Sequence, residues 1–308
     1  MFKWARRQRQ EAKLPEGENP GQWFAAYLHQ RAHLASAESN FHCDPACSRP
    51  GCQNQDLQVP VSLFDILAAA GHQDQPIPAI YDHHYSWGLL ANGREAWLRM
   101  VTLRLKKPCP FFQNNLCSIY SIRPLPCILF PEYLANEGTF EENARKEYFQ
   151  DYFCFHRPLL LSPERAKLMT KLKRMWEREM LISSFFLFDY GHCHIDFSNL
   201  LEELSAAARS QRDAAERLKP LQVIPNQVLE HFFLQHMALY PPFAGLGQKI
   251  SHLETREGQA ELVQWLQDDL LLQKLQKRGD DRALVFRFVK GKVQAKRRSL
   301  SHPESKCY

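Results

Sequence analysis

The chain has 308 residues and a mass of 36.0 kDa, with 44% hydrophobic and 24% charged residues, enough for one large domain or two modest ones and unlike a fibrous or wholly disordered chain. Its nine cysteines are too few for a disulfide scaffold of this length, and their odd number leaves at least one thiol outside any internal disulfide set. The net charge of +5 sits at the ends: residues 1–13 hold five Lys/Arg against one Glu and residues 290–308 hold six against one, so the body between them is slightly acidic, a pattern of solvated ends that argues against a nucleic-acid partner because no aromatic beyond Trp4 interleaves with the basic residues.

Taken in chain order, the basic opening MFKWARRQRQEAKLPEGENP has no apolar stretch behind its arginines and reads as neither a secretory signal nor a membrane anchor. No run reaches the roughly 18 apolar residues a spanning helix needs. A cytoplasmic protein without a membrane partner is therefore expected, and in that reducing compartment clustered cysteines bind metal or do redox work more often than they form staples. Gln22 to Ala37 has Trp23, Phe24, Tyr27 and Leu28 at helical spacing and predicts a first helix that closes a segment 1–40. FHCDPACSRPGCQNQ follows as a loop broken by Pro and Gly. Ser62 stands as an N-cap before LFDILAAAG, with Gly71 as the stop. Gln73 to Gly93, with Pro76, Pro78 and His83-His84, reads as irregular, and VTLRLKK from Val101 to Lys107 alternates like a short strand.

From Ser162 the character changes. Ser as N-cap, Pro at the first helical position and an early Glu open a long helix that ends near Gly191. Helices are also predicted at Asn199 to Leu218, Pro225 to Leu239 and Gly258 to Gln276, and a strand pair, ALVFRFV and KVQAK, turns at Lys290-Gly291. The expected fold is mainly α with minor β (α+β): an irregular, metal-held, cysteine-rich N-terminal half packed on a helical C-terminal half. The expected divisions are a cysteine-cluster domain at 41–160, a helical region at 161–289 and a basic tail at 290–308.

Seven of the nine cysteines, Cys43, Cys47, Cys52, Cys109, Cys117, Cys127 and Cys154, fall within 112 residues. The first three form C-x3-C-x4-C and the next three C-x7-C-x9-C, with Cys154 further on. Thiolates a few residues apart in turns built by Pro and Gly can face one another at the distances that tetrahedral zinc or an iron–sulfur cluster requires. Cys193 and Cys307 instead suit ordinary buried small hydrophobes. His192, Cys193 and His194 form a tight triplet, read as a loop with one buried Cys and two outward histidines.

The most specific text is CPFFQNNLCSIYSIRPLPCILFP. With FHCDPACSRPGC before it, the chain resembles the YkgJ-type cysteine-cluster family of zinc- or iron-chelating proteins, residue by residue at Cys109, Pro110, Phe111, Cys117, Ile119, Tyr120, Arg123, Pro124, Cys127 and Pro131. The resemblance covers about residues 41–157. It implies that the seven clustered cysteines are the metal ligands and the cofactor zinc or an iron–sulfur cluster. The family's early knot carries four thiols where this chain offers three at wider spacing, so a ligand is missing or comes from elsewhere, with His42, Cys154 and His156 as candidates. Arg123 either offsets thiolate charge or is a surface residue. Phe111 and Tyr120 are expected to pack around the site.

No Gly-rich phosphate loop, Rossmann fingerprint, H-E-x-x-H helix or G-x-S-x-G turn occurs. The early triplet misses the C-x3-C-x2-C spacing of radical S-adenosylmethionine enzymes. The leading expectation is a cytosolic metal-binding protein with a structural or redox thiolate site, whose helical half offers a surface to a protein partner or substrate. The alternative is an enzyme using the cluster: an iron–sulfur oxidoreductase, or a transferase like the flagellin lysine N-methylases, whose cysteine cluster is related. A structural site would be sealed by Phe111, Phe112, Tyr120 and Phe130, whereas an enzyme would present His156, Arg157, His192 and His194 to a cleft.

Overall fold

The computed structural model describes residues 19–36, 47–55, 57–92, 95–145, 149–156, 159–199, 226–240, 243–267, 281–289 and 292–300. The expectations for the basic start, His42, Cys43, Arg157, the helix at Asn199–Leu218 and Cys307 lie wholly or almost wholly outside these residues. Among the described residues the protein is mainly α with a minor mixed sheet, and no helix is long and apolar enough to cross a membrane. The chain divides into two compact units, the first drawn from 1–86, 103–180 and 251–267 and the second from 87–102, 181–250 and 268–308. The change of character at 158–162 falls inside the first unit.

In the first unit the opening helix spans Pro20–Ser36 and buries Trp23 and Phe24, with Phe24 stacked 5.7 Å from Phe64. Ser62 caps the helix Leu63–Gln73 as expected, in a reciprocal box with Asp65. Every residue from Leu63 to Ala70 is buried, as a helix apolar on all sides must be. Gly71 does not stop it. The helix runs on to Gln73, and Asp74 takes the left-handed conformation at φ 51° that ends it.

The stretch expected to be irregular holds a helix, Ile77–His84, and strand β2, Tyr85–Asn92. Pro78 lies in the helix's first turn, where a missing N–H costs nothing. Trp87, Gly88 and Leu89 are consecutive buried residues, so β2 lacks the alternation that marks a half-exposed strand. A two-residue strand, β1 (Pro60–Val61), pairs antiparallel with the end of β3 (Glu95–Leu105), Val61 opposite Leu103. Strand β3 is longer than the expected 101–107 and ends at Leu105, short of Pro108, which has no N–H for a ladder.

The long helix spans Pro163–Phe188. The Arg165 amide donates to Ser162 Oγ at 3.2 Å, and Asp189 at φ 60° follows the last turn. Met169, Leu172 and Met175 pack against Leu125, Ile128 and Leu129, so this helix is the shelf on which the short helix Leu125–Leu129 rests. Arg165 is ion-paired with Glu132, both buried. Helix Arg256–Gln267 completes the unit. Gly258 is required there, since a Cβ would lie 2.1 Å from the His252 carbonyl oxygen.

In the second unit, Leu98–Met100 of β3 pair antiparallel with β6 (His192–Asp196), β6 pairs parallel with β7 (Asp281–Val289), and β7 antiparallel with β8 (Lys292–Leu300). The His-Cys-His triplet thus lies in a strand, paired with β7 throughout and with β3 from His194 onward, and is not a loop. His194 is buried with Cys193, and His192 is half-buried, because both faces of this strand are covered. The predicted helix at Pro225–Leu239 is found at Asn226–His236. Its Phe233 meets Phe243 at 5.4 Å, and Phe243 meets Phe188 at 5.2 Å and Phe286 at 5.3 Å, forming the unit's aromatic core.

Candidate metal centre

Cysteines 47, 52, 109, 117, 127 and 154 all belong to the first unit, and Cys193 to the second. The early and late cysteine stretches meet directly. Cys52 sits in a one-turn helix, Pro50–Gln53, and its carbonyl accepts the Cys109 amide at 2.7 Å. The Cys109 carbonyl accepts the Phe112 amide at 3.0 Å and so starts a tight hairpin of β4 (Phe112–Gln113) and β5 (Leu116–Cys117). Asn114 and Asn115 make its turn with φ of 51° and 61°, the left-handed conformation that Asn adopts at low cost and that two-residue hairpins need. Cys117 is thereby returned opposite Phe112. Seven residues on, Pro124 opens the helix Leu125–Leu129, and the Cys127 amide donates to the Pro124 carbonyl at 2.9 Å.

Three of these sulfurs receive a backbone N–H from the residue two positions ahead. The Arg49 amide lies 3.4 Å from Cys47 Sγ, the Cys109 sulfur accepts from Phe111, and the Cys117 sulfur from Ile119. Amide hydrogens aimed at sulfur favour the thiolate over the thiol. Burial works the other way. It pushes the Cys52 thiol up to about 11, with Cys109 and Cys117 adding to the rise, and Cys127 up to about 12, with Cys109 and Cys52 adding. Burial also raises Cys109 and Cys117. The four thiols therefore share one electrostatic neighbourhood, in which a second negative sulfur is disfavoured by the first.

Cations oppose this. Lys107 favours the charged form of Cys52, Cys109 and Cys127, and its ammonium donates to the Gly51 carbonyl. Arg123 acts likewise on Cys117 and Cys127, held by its Nε–H to the Tyr120 carbonyl at 3.0 Å and by its guanidinium 3.8 Å from the Tyr120 ring. Of the aromatics, Phe111 is buried and stacks 4.2 Å from His84. Phe112 and Phe130 are half-buried. Tyr120 is 66% exposed, because it serves as the platform for Arg123 and does not pack inward.

Cys154 is half-buried in a single helical turn, Phe153–Phe155, against the cluster of Leu134, Phe140, Tyr152 and Phe155. Residues 150–156 face residues 48–54 across an open cleft of about 530 Å³ whose lining includes Ser48, Gln53, Asp151, Phe153 and His156. His156 is exposed, its Nε2 2.9 Å from the Gln150 carbonyl oxygen. The buried Cys193 thiol is raised well above its ordinary value by burial alone, as befits a packing residue.

Among the described residues, no three His, Cys, Asp or Glu side chains form a group already placed to hold an ion. The chemistry of the donors nevertheless suits a thiophilic metal. Four sulfurs from three chain segments have backbone N–H groups and cations around them, and sulfur is the donor that zinc and iron prefer. Lys107 was missed in the sequence, although its position two residues before Cys109 in KKPCP was a visible signal.

Residues 42–154 match the family model CxxCxxCC, described as "Putative zinc- or iron-chelating domain". No curated protein and no solved structure matches the chain.

Proposed function

We propose, from the zinc- or iron-chelating domain matched over residues 42–154, that this is a cytosolic metal-binding protein. In this reading Cys43, Cys47, Cys52, Cys109, Cys117 and Cys127 supply the thiolates for zinc or an iron–sulfur cluster, with Cys154 beside them. The observation that carries the reading is the neighbourhood of Cys52, Cys109, Cys117 and Cys127, whose burial makes each thiolate costly without a metal while amides and cations are already aimed at them. A bound metal supplies the positive charge that converts these thiols to thiolates.

The chain's own residues do the rest. Lys107 and Arg123 offset the excess negative charge that several thiolates bring, and Phe111 keeps water from the Cys109 side. The amides of Arg49, Phe111 and Ile119 orient their sulfurs before metal arrives. Zinc takes four thiolates, so six ligand candidates require either two ions or two sulfurs held outside the coordination shell. The role is to hold residues 41–157 in shape, or to exchange electrons if the group is a cluster. Protein purified with and without oxygen tests this. A brown, oxygen-sensitive protein that contains iron and sulfide assigns a cluster, and a colourless one with bound zinc assigns a structural ion. Protein that lacks both metals after anaerobic preparation overturns the reading.

A further inference from the structure

The first unit contains a buried ionic network that the metal reading does not use. Arg31, Asp65 and Glu179 are 2%, 1% and 0% exposed. Arg31 Nε donates to Glu179 Oε1 at 2.9 Å and Nη2 to Oε2 at 3.2 Å, and Nη2 also donates to Asp65 Oδ1. Tyr27 donates to Glu179 Oε1 and Ser62 Oγ to Glu179 Oε2, both at 2.9 Å. One guanidinium thus faces two carboxylates out of water. Such an arrangement is seldom worth more to stability than apolar side chains of the same volume, so its geometry has to be explained by what it holds in place.

Asp65 holds two things. Its Oδ2 accepts the Ser62 amide at 2.8 Å while its own amide donates to Ser62 Oγ at 3.2 Å, which is the capping box of its own helix. Its Oδ1 accepts, besides Arg31, the Leu125 amide at 3.3 Å. Leu125 stands between Pro124 and Pro126, so its N–H is the one backbone donor in that tripeptide, and it belongs to the first residue of the helix that carries Cys127. A helix's first amides have no partner within the helix. The Asp65 carbonyl also accepts the hydroxyl of buried Tyr85 at 3.4 Å, and the charges of Cys127 and Cys109 bear on that same tyrosine.

We propose that Asp65 is a positioning residue of the thiolate centre, its carboxylate anchoring through the Leu125 amide the turn that presents Cys127. The proposal rests on Cys127 being a ligand. Every partner of the Asp65 carboxylate is a donor, so in Asp65→Asn the side-chain NH2 must face a donor on whichever side it turns, and either the cap or the Leu125 anchor is lost. Glu179→Gln perturbs the same guanidinium from the carboxylate bound by Tyr27 and Ser62, and serves as the control for general destabilisation.

The test uses the full chain. In chelator-treated protein, the rate of Cys127 labelling by N-ethylmaleimide is followed by peptide mass spectrometry with Cys154 as internal reference. Zinc affinity is measured by competition with a chromophoric chelator, and stability by urea unfolding. Asp65→Asn is expected to raise Cys127 labelling several-fold relative to Cys154 and to weaken zinc binding by roughly 10- to 100-fold. Glu179→Gln is expected to lower the urea midpoint while leaving both near wild type. Unchanged Cys127 labelling in Asp65→Asn overturns the proposal, as does an equal rise in Glu179→Gln or an unchanged zinc affinity. Should Asp65→Asn not fold, Asp65→Glu, which keeps the charge but sets it one methylene away from where the Leu125 amide now finds it, is read by the same labelling rate with the same two outcomes. If wild-type protein takes up no metal, the ligand reading fails, and the labelling rates still decide whether Asp65 positions Cys127.

Discussion

Cys109→Ser separates what the thiolate contributes through metal from what it contributes through packing. In metal-free protein the replacement is mild. The serine hydroxyl stands where the Phe111 amide already points and can accept it in place of sulfur, so the loss is that of a modest change in one hydrogen-bonded group, about 1 kcal/mol. With metal the difference grows. At a free metal concentration a thousandfold above Kd, binding to the native state adds about 4 kcal/mol, and a variant lacking one thiolate forfeits most of it. The expected gap between wild type and variant is therefore about 5 kcal/mol with metal and about 1 kcal/mol with chelator. For a unit of 150–250 residues each kcal/mol moves the midpoint by about 2–4 °C, so thermal unfolding followed by circular dichroism should show a gap of roughly 10–20 °C in saturating zinc that shrinks to roughly 2–4 °C with chelator. Cys193→Ser, in the other unit and buried, should shift the midpoint equally in both conditions. A Cys109→Ser gap that is the same with and without metal refutes the reasoning.

Burial holds the metal-free thiols of Cys52 and Cys127 up at about 11 and about 12, above the ordinary value of 9, so the fold keeps their protons more tightly than the unfolded chain does; the stability this contributes is full below pH 9 and is lost as pH rises through 11 to 12. Urea midpoints of chelator-treated protein should fall over that window, and those of metal-loaded protein, whose sulfurs are already deprotonated, should fall less. Glu132→Gln removes the buried carboxylate paired with the Arg165 guanidinium and should cost about 3–5 kcal/mol in urea unfolding; a loss below 1 kcal/mol would show the pair to be dispensable. Gly258→Ala drives a methyl group into the His252 carbonyl and should cost about 1–3 kcal/mol, an effect absent if the chain there relaxes freely.

Where chemistry is local, the sequence could be read. Ser62 with Asp65 three residues on announced a capped helix, and Ser162-Pro163 with Glu164 announced the long one. The strand pair ALVFRFV and KVQAK was read on either side of Lys290-Gly291, where β7 and β8 are found paired. What was illegible depends on partners far along the chain. Pro76 and Pro78 looked like breakers because the helix they open is recognisable only once Tyr85 onward is known to enter a sheet. His192 to His194 looked like a loop because nothing nearby reveals that β7 pairs with all three and β3 with His194. The clustering of cysteines 47 to 154 was visible as spacing, and so was the importance of CPFFQNNLC. That the Cys109 amide would bind the Cys52 carbonyl was not, and neither was the second partner of Asp65, sixty positions away at Leu125.

The central claim is that these cysteines hold a metal. Elemental analysis of anaerobically prepared protein, paired with native thiol titration, tests it most directly. The account predicts stoichiometric zinc or iron, lost when Cys52, Cys109, Cys117 and Cys127 are replaced together by serine, with those four thiols unreactive until the metal is removed. Wild-type protein free of both metals, whose thiols all titrate in the folded state, would contradict it.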